Sequence, residues 1–309
     1  MSPDAATVGI DIGGSKIAVG LVDDSGRVTD RAQVATPARY GGDAILDCAV
    51  RLVLALTGNR RIARVGVAAA GVIGANGVVE SATDLLAGWV GTDLVGGLSD
   101  RLPGRPGVAA VNDVHAHAVG EAWRGAGTDR EGVLLVAVGT GLGGAVVHGG
   151  RVLRGAHGAA GHLGHVRCVE ARDLPCSCGA TGHLEAIASG YGLVQLYHRL
   201  GGDPTVTDAR QVSTRTVFDP EAAIAVERSA SALGSGLGDL TNIIDPDLVV
   251  ISGSVMGAGP SWWRVLRTAA REASLRLLTD TAIVPATLGA DAGIIGAARI
   301  AQDHQRVER

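Results

Sequence analysis

A glycine-rich segment at residues 158–185, here called the metal segment, carries side chains whose types and spacing suit a metal ion. Its four most closely spaced ligand types are His165, Cys176, Cys178 and His183. Two thiolates and two imidazoles suit a tetrahedral zinc ion. Cys168 lies in the same segment and is an alternative fourth ligand. No open coordination position is evident, so the spacing favours a structural zinc ion over two buried thiols and two surface histidines.

Three glycine bends follow apolar runs, at residues 11–16, 139–144 and 252–254. Backbone amides at such bends bind anions, because glycine lacks a Cβ and lets phosphate oxygens approach. The first two bends match neither the P-loop nor the dinucleotide fingerprint, since both of those motifs open a helix. One such bend is commonly just a turn, but three in one chain predict a nucleotide held between two lobes. Asp11 lies in the first bend, where its carboxylate could hold Mg²⁺ through water.

Asn112 and Asp113 form a polar pair between an apolar strand pattern and a helical pattern. One explanation is helix N-capping, which both residue types favour. The other is a general base that accepts a proton from a substrate hydroxyl, as phosphoryl transfer requires. In that case His162 and Glu185, which lie before and after the cysteines of the metal segment, would contact the same substrate.

Strand and helix patterns alternate along the chain, which predicts an α/β fold. Apolar runs predict strands at 7–12, 17–22, 62–70, 77–80, 108–111, 133–138, 145–148, 151–153, 248–251 and 282–285. Helical patterns occur at 44–56, 94–102, 114–124, 184–200, 220–244, 262–278 and 292–302, with a loop or short substructure at 210–219. The strand, glycine bend and return strand at 8–28 recur at 134–153, which suggests two related lobes. Chance similarity of two glycine-rich hairpins is the alternative.

The composition of the 309 residues, with 46% hydrophobic and 19% charged, is typical of a soluble globular protein. A net charge of −4 without a basic run argues against a nucleic-acid partner. Four cysteines, three of them in the metal segment, indicate a reducing compartment rather than disulfides. The N-terminus lacks a signal-peptide pattern and no apolar run reaches membrane-spanning length, so we expect a cytoplasmic protein without a membrane partner.

Taken together, these motifs resemble the ROK family of bacterial sugar kinases, repressors and related proteins, over nearly the whole chain. The motifs that carry the resemblance are DIGGSK, the Asn112-Asp113 pair, GTGLGG, GHLGH, CSCGATGHLE and SGSV. The resemblance implies a two-lobed, actin-like (ribonuclease H-like) fold with a zinc-binding loop. It also implies ATP-dependent phosphorylation of a hexose, with ATP, Mg²⁺ and structural Zn²⁺.

The resemblance also implies roles for individual residues. Asp113 would be the catalytic base, and the sugar contacts would be Asn112, His162, His165 and Glu185. Phosphates and Mg²⁺ would be held by Asp11, Ile12, Gly13, Gly14, Ser15 and Lys16, and by Thr140, Gly141, Leu142, Gly143 and Gly144. The adenosine would lie at Gly253 and Ser254, and the zinc ligands would be His165, Cys176, Cys178 and His183. His165 would thus serve both the metal and the sugar.

The family pattern also carries expectations about domains and assembly. We expect a small lobe from residues 1–113 plus the C-terminal helix at 290–309, and a large lobe from residues 114–289 with the zinc loop. The usual assembly is a homodimer. Repressor members carry an N-terminal winged helix-turn-helix, whereas here the first strand pattern begins within a few residues of Met1. We therefore expect a kinase rather than a repressor.

Two departures from the family pattern bear on the substrate. His183 stands where a third cysteine is usual, and His162 stands where a glutamate is usual. The resulting Gly-His-x-Gly-His segment resembles the bacterial N-acetylmannosamine kinase branch, as do the runs at 184–190 and 253–255. The segment SATDLLAGW also lacks the Pro-Asn of many glucose-specific members. The pattern favours N-acetyl-D-mannosamine as acceptor, with glucose or another hexose, or a non-catalytic sugar sensor, as alternatives. The phosphate donor, ATP or polyphosphate, stays open.

Overall fold

Residues 5–83 and 85–307 are described by a computed structural model, with side chains described up to residue 304. Within these residues strands and α-helices alternate, which confirms the predicted mixed α/β class. The strands are β1 Ala5–Ile12, β2 Lys16–Val22, β3 Val28–Ala35, β4 Arg61–Ala69, β5 Val72–Ile73, β6 Val79–Ser81, β7 Gly107–Asn112, β8 Gly132–Val138, β9 Leu142–His148, β10 Arg151–Val152, β11 Leu248–Ser252 and β12 Ala282–Pro285. The helices are α1 Gly41–Thr57, α2 Leu94–Arg101, α3 Asp113–Arg124, α4 Glu185–Ala188, α5 Gly190–Arg199, α6 Ala209–Arg215, α7 Pro220–Ile244, α8 Pro260–Ala273 and α9 Ala292–Val307.

Two five-stranded sheets share one strand pattern. The first has the order β3-β2-β1-β4-β7 and the second the order β10-β9-β8-β11-β12. In the first sheet β1 pairs antiparallel with β2 and parallel with β4. In the second sheet β8 is the strand that pairs parallel with β11. The two glycine-rich hairpins that the sequence singles out as similar therefore occupy equivalent positions in the two sheets.

The first sheet is covered by helices on both faces. Its main core joins buried residues of β1, β2 and β4 to α1 and α2, with Ile10, Ile45 and Leu98 fully buried. On the other face, α9 packs against β1 and β4 and also against α3. The approach of α9 is so close that a Cβ on Gly9 or Gly66 would overlap the α9 backbone. Bare backbone at these two positions is therefore what lets α9 lie directly on the sheet.

The described residues divide into two compact units whose limits differ from the expected lobes. One unit lies within Met1–Asp129, Val146–Ala160 and Thr287–Arg309, and the other comprises Arg130–Ala145 and Gly161–Ala286. The expected boundary after residue 113 separated α3 from the N-terminal sheet. The structure instead keeps α3 in the first unit, because α3 packs along α9 with bare glycine backbone at their contact.

Glu121 of α3 anchors two loops within the first unit. Its side chain is fully buried, and Oε1 accepts hydrogen bonds from the Thr287 and Leu288 amides at 2.9 and 2.8 Å. Oε2 accepts a third from the Ala126 amide at 2.8 Å. Among the described residues no cation pairs with this carboxylate. The Thr287 hydroxyl also donates to Oε2, at 3.3 Å. Neutral donors therefore compensate the burial of this carboxylate, which makes Glu121 a structural anchor rather than an ion-pair partner.

Several elements differ from the sequence expectation. Strand β3 is additional, because most of its residues are exposed and show no apolar run. The expected helix at 184–200 is two helices, since Ser189 adopts an extended conformation and caps α5 through the Gly192 amide. The expected loop or substructure at 210–219 contains α6, whose N-cap is Asp208. Of the residues described, no helix combines the length and apolar composition that crossing a membrane requires.

Candidate functional site

Asp11 and the Asn112-Asp113 pair lie at one edge of the first sheet. Strands β1, β4 and β7 run parallel, with Asp11 beside Ala68 and Ala69 beside Asn112. The carboxyl ends of these strands therefore place Asp11 and Asp113 near each other. Such an edge is where parallel α/β sheets commonly bind ligands.

Asn112 is the N-cap of α3, so the capping explanation is confirmed for this residue. Its Oδ1 accepts hydrogen bonds from the amides of Val114 and His115 at 2.9 and 3.2 Å. Its Nδ2 donates to the Gly71 carbonyl and to Asp113 Oδ1, both at 2.9 Å. Because both amide hydrogens and the side-chain oxygen of Asn112 are engaged, a direct sugar contact would require it to give up one of these bonds. Its observed contacts orient Asp113.

The two carboxylates share an environment that disfavours charge. Burial raises the pKa of Asp113, and the negative charge of Asp11 raises it further. Burial likewise raises the pKa of Asp11, against the opposing positive fields of His117, Lys16 and, more weakly, Arg31. A carboxylate with a raised pKa is a stronger proton acceptor than an ordinary aspartate.

The first glycine bend lies between β1 and β2. The Gly13 amide donates to the Lys16 carbonyl at 3.0 Å, and the Thr36 hydroxyl donates to the Gly13 carbonyl at 2.7 Å. Gly14 completes the turn. Ser15 and Lys16 are exposed, whereas the Ile12 side chain is fully buried in the core. Ile12 can therefore contact a ligand only through its backbone.

The second bend, residues 139–144, joins β8 to β9, includes the first three residues of β9 and is packed against the GHLGH segment. A Cβ on Gly161 would overlap the Gly144 carbonyl, and a Cβ on Gly164 would overlap that of Leu142. The glycines of GHLGH are therefore required by close backbone approach. The bend also contains Thr140 and Gly141, which are exposed, and Gly143, which is half-buried.

The third bend, residues 252–254, lies next to the end of β8, where the second bend begins. Gly253 follows β11 with φ of 97°, and a Cβ there would overlap the Val138 carbonyl at the end of β8. Ser254 comes next and is exposed. Within the second unit the structure therefore places Gly253 and Ser254 near the start of the 139–144 bend.

The four expected metal ligands come together in the second unit. One ligand atom from each of His165, Cys176, Cys178 and His183 lies within 4.8 Å of all the others. The Cys176 Sγ to His165 Nδ1 distance is 3.6 Å, and the Cys178 Sγ to His183 Nδ1 distance is 3.3 Å. Tetrahedral zinc with bonds of about 2.3 Å to sulfur and about 2.0 Å to nitrogen separates such atoms by about 3.6 Å. The donor set and its spacing fit zinc.

Cys168, the alternative fourth ligand, is not part of this group. Its Sγ donates to Glu170 Oε2 at 3.1 Å. Burial and this hydrogen bond raise the pKa of the Cys168 thiol to about 11. A thiol that holds its proton this firmly is a poor zinc ligand, because the metal binds thiolate.

His162, His165 and Glu185 lie around the metal group. The rings of His162 and His165 stack with their centroids 6.2 Å apart, and His162 is exposed. Glu185 Oε2 accepts a hydrogen bond from the Leu142 amide at 2.9 Å. Glu185 therefore joins the metal segment to the 139–144 bend. The bend, the histidines and Glu185 form one cluster in the second unit, while Asp11 and Asp113 lie in the first.

Sequence reasoning missed some members of these clusters. His117 and Arg31 act on Asp11 through their charges, and Ser177 hydrogen-bonds Glu185. His117 and Arg31 belong to no recognisable motif, and Ser177 lies within CSCGATGHLE between two expected metal ligands. For His117 there was one available signal, since it follows Asp113 by one helical turn on α3.

The sequence model of the ROK family matches residues 7–304. A glucokinase from Halalkalibacterium halodurans is 31% identical, covering 94% of this chain and 92% of that protein. An N-acetylmannosamine kinase from Citrobacter koseri is 35% identical, covering 96% of this chain and 99% of that protein.

Solved structures of similar chains agree with the sequence matches. The ROK hexokinase from Thermus thermophilus superposes with a TM-score of 0.86 at 32% identity, covering 98% of this chain and 99% of that one. A ROK family glucokinase from Streptomyces griseus, in complex with glucose and AMPPNP, gives 0.80 at 30% identity, covering 96% and 99%. This chain belongs to the ROK family, and its α/β fold is shared with sugar kinases of that family.

Proposed function

We propose that this protein is an ATP-dependent sugar kinase that phosphorylates the 6-hydroxyl of a hexose, most specifically N-acetyl-D-mannosamine. The observation that carries the proposal is Asp113, a carboxylate of raised pKa oriented by Asn112 at the carboxyl end of β7. Family membership and relatives named glucokinase and N-acetylmannosamine kinase support a sugar kinase.

In the proposed mechanism Asp113 accepts the proton of the sugar 6-hydroxyl as the sugar 6-oxygen attacks the γ-phosphorus of ATP. The bond from this phosphorus to the β–γ bridging oxygen breaks, and ADP leaves. Asp11 would hold Mg²⁺, which neutralises charge on the phosphates. The amides of the 11–16 and 139–144 bends would bind phosphate oxygens, since glycine leaves them accessible. Gly253 and Ser254 would lie at the adenosine. The sugar would be held by His162, His165 and Glu185, with Asn112 orienting the base.

The choice between acetamido sugar and glucose rests on His162. A neutral histidine can donate or accept a hydrogen bond, whereas a glutamate at this position would only accept. His162 is exposed, and its ring stacks on that of His165, which is itself a proposed sugar contact. Glucose is the second candidate, because the relatives at comparable identity include a glucokinase.

The test is ADP release measured with glucose, mannose, fructose, N-acetylglucosamine and N-acetylmannosamine as acceptors. We expect the highest kcat/KM with N-acetylmannosamine, and mass spectrometry of the product should place phosphate on the 6-oxygen. Polyphosphate replaces ATP in a parallel series, in which the sugar phosphate itself is measured because this donor releases no ADP. Absence of sugar-dependent turnover with either donor contradicts the kinase proposal, and a preference for glucose selects the second candidate.

We also propose that His165, Cys176, Cys178 and His183 hold a structural zinc ion. The support is the closeness of their ligand atoms and the match to tetrahedral spacing. Metal analysis of protein purified without added zinc should find about one ion per chain. Protein in which both cysteines are replaced by serine should contain none, and a metal-free wild type contradicts the assignment.

A cytoplasmic homodimer is our proposal for location and assembly. Its support is the family resemblance together with the clustered, unpaired cysteines. Light scattering after size-exclusion chromatography would give the mass in solution. A mass of one chain would overturn the dimer.

A further inference from the structure

We propose that Ser177 is a positioning residue that holds the Glu185 carboxylate and thereby couples the metal segment to the 139–144 bend. This inference rests on the proposed function for its kinetic consequences. The proposed positioning of Glu185 itself rests on contacts within the second unit. Ser177 lies between two proposed metal ligands, Cys176 and Cys178, and has no other assigned role.

Glu185 is held by one contact on each carboxylate oxygen. The Ser177 hydroxyl donates to Oε1 at 2.5 Å, and the Leu142 amide donates to Oε2 at 2.9 Å. The Cys176 thiol makes a longer contact of 3.7 Å with Oε1. Among the described residues Glu185 makes no ion pair. Neutral donors alone therefore fix the direction of this carboxylate.

Zinc binding would make the Ser177 hydroxyl more important for holding Glu185 Oε1. A zinc-bound Cys176 is a thiolate and has no proton to donate. Its sulfur would then face Glu185 Oε1 as a negative atom. Ser177 would remain as the one side-chain donor that holds Oε1 among the contacts described. The hydroxyl thus keeps the carboxylate in place next to a metal-bound sulfur.

The metal segment holds Ser177 firmly enough for this role. The Cys176 amide donates to the Ala180 carbonyl at 2.8 Å, and the Gly179 amide donates to the Cys176 carbonyl at 3.0 Å. These bonds close a tight turn around Ser177. Its flanking residues would also be tied to the ion, so little conformational freedom is lost when its hydroxyl binds Glu185.

At the other end, the Glu185 carboxylate shapes the bend. It occupies the Leu142 amide, and a Cβ on Gly141 would lie 2.9 Å from Oε2, which shows how closely the bend approaches. Loss of the Ser177 bond frees the carboxylate to rotate and removes a constraint on residues 139–144. Because this bend is the proposed phosphate loop and Glu185 a proposed sugar contact, both substrates should bind more weakly.

The experiment compares Ser177→Ala with Ser177→Thr, which keeps the hydroxyl. Ser25→Ala is the matched control, because Ser25 is also exposed and its Oγ donates to a carboxylate, Asp23 Oδ1, at 2.6 Å. Zinc content is measured for each protein, followed by hydrogen exchange of the backbone amides at 139–144. Kinetic constants for sugar and ATP are measured last.

We expect Ser177→Ala to retain its zinc while the Leu142 amide exchanges about 10-fold faster. KM for the sugar should rise about 10-fold, with a smaller change in kcat. Ser177→Thr should restore both quantities, and Ser25→Ala should change neither. Chelation of zinc from the wild type should accelerate the same amides.

Unchanged exchange at Leu142 in a zinc-loaded Ser177→Ala protein overturns the coupling. So does a Ser177→Thr protein that behaves like the alanine variant. If the wild type shows no sugar-dependent turnover, the proposed function fails, but the exchange measurement still decides whether Ser177 controls the bend.

Discussion

Asn112 Nδ2 donates a hydrogen bond of 2.9 Å to Asp113 Oδ1 and thereby divides the roles of the two carboxylate oxygens. Oδ1 also accepts the Val114 amide at 2.9 Å. Oδ2 accepts no hydrogen bond from the residues that the structure describes. In the proposed mechanism Oδ2 would therefore be the oxygen that accepts the substrate proton, while Oδ1 fixes the orientation of the group.

Replacing Asp113 with asparagine tests this division. The amide oxygen can still accept from Asn112 and Val114, but no basic oxygen remains. We expect kcat to fall about 10²–10⁴-fold, with zinc content unchanged. Asp24→Asn, at an exposed aspartate of a turn, is the control. Near-normal turnover of the Asp113 variant would refute the base assignment.

The same substitution should stabilise the protein in a pH-dependent way. The pKa of Asp113 is raised in the folded state, so between the unfolded and folded pKa values the folded state binds more protons. Stability from this group therefore falls as pH rises through the folded pKa. We expect the Tm of Asp113→Asn to exceed that of the wild type by more at pH 8 than at pH 4. A pH-independent difference argues against a raised pKa.

The pH profile of the wild-type enzyme gives a separate check. A general base must be deprotonated, so kcat/KM should fall on the acidic side at a pH above the usual range of an aspartate. Rates measured with the preferred sugar over pH 4–9 would locate this limb. A limb in the usual aspartate range would mean that burial and Asp11 do not shift the base as the structure indicates.

Sugar choice can be tested at His162. His162→Glu replaces a side chain that can donate a hydrogen bond with one that only accepts. We expect the ratio of kcat/KM for glucose over N-acetylmannosamine to rise by about 10–100-fold. His148→Glu, at an exposed histidine of β9, is the control. An unchanged ratio would show that selectivity lies elsewhere.

Glu121 provides a stability test outside the site. Glu121→Ala leaves the Thr287, Leu288 and Ala126 amides without their acceptor, at about 1–3 kcal/mol for each buried unsatisfied group. We expect a loss of at least about 3 kcal/mol in the free energy of unfolding, and a smaller loss for Glu121→Gln, which keeps one acceptor oxygen. Denaturant unfolding measures both. Glu227→Gln, at an exposed position of α7, should be neutral.

The parts of the molecule that the sequence could predict are those with local signals. Apolar runs located the parallel strands. The close spacing of Cys176, Cys178 and His183 predicted a group of possible metal ligands, and the fold does bring these side chains together. Strand β3 was not predicted from the sequence, because an exposed edge strand needs no apolar run.

The features that the sequence does not predict are side-chain contacts and helix packing that only the folded chain creates. Ser177 lies in the CSCGATGHLE motif together with Glu185, but the spacing of the two residues does not show that the serine hydroxyl donates to the carboxylate. Glu121 resembles an ordinary helix-surface glutamate until residues 287–288 fold back onto it. The assignment of α3 to the first unit likewise depends on α9, which lies far along the chain.

The position of α9 has a consequence for synthesis of the protein. Its residues are translated long after those of β1 and β4, yet they cover Gly9 and Gly66 in these two strands. The second unit is drawn from residues 130–286 and has all its segments available earlier. At about 5–20 residues per second, an emerging chain must keep its first sheet uncovered on one face for many seconds. The N-terminal sheet therefore stays uncovered on that face until α9 has emerged from the ribosome.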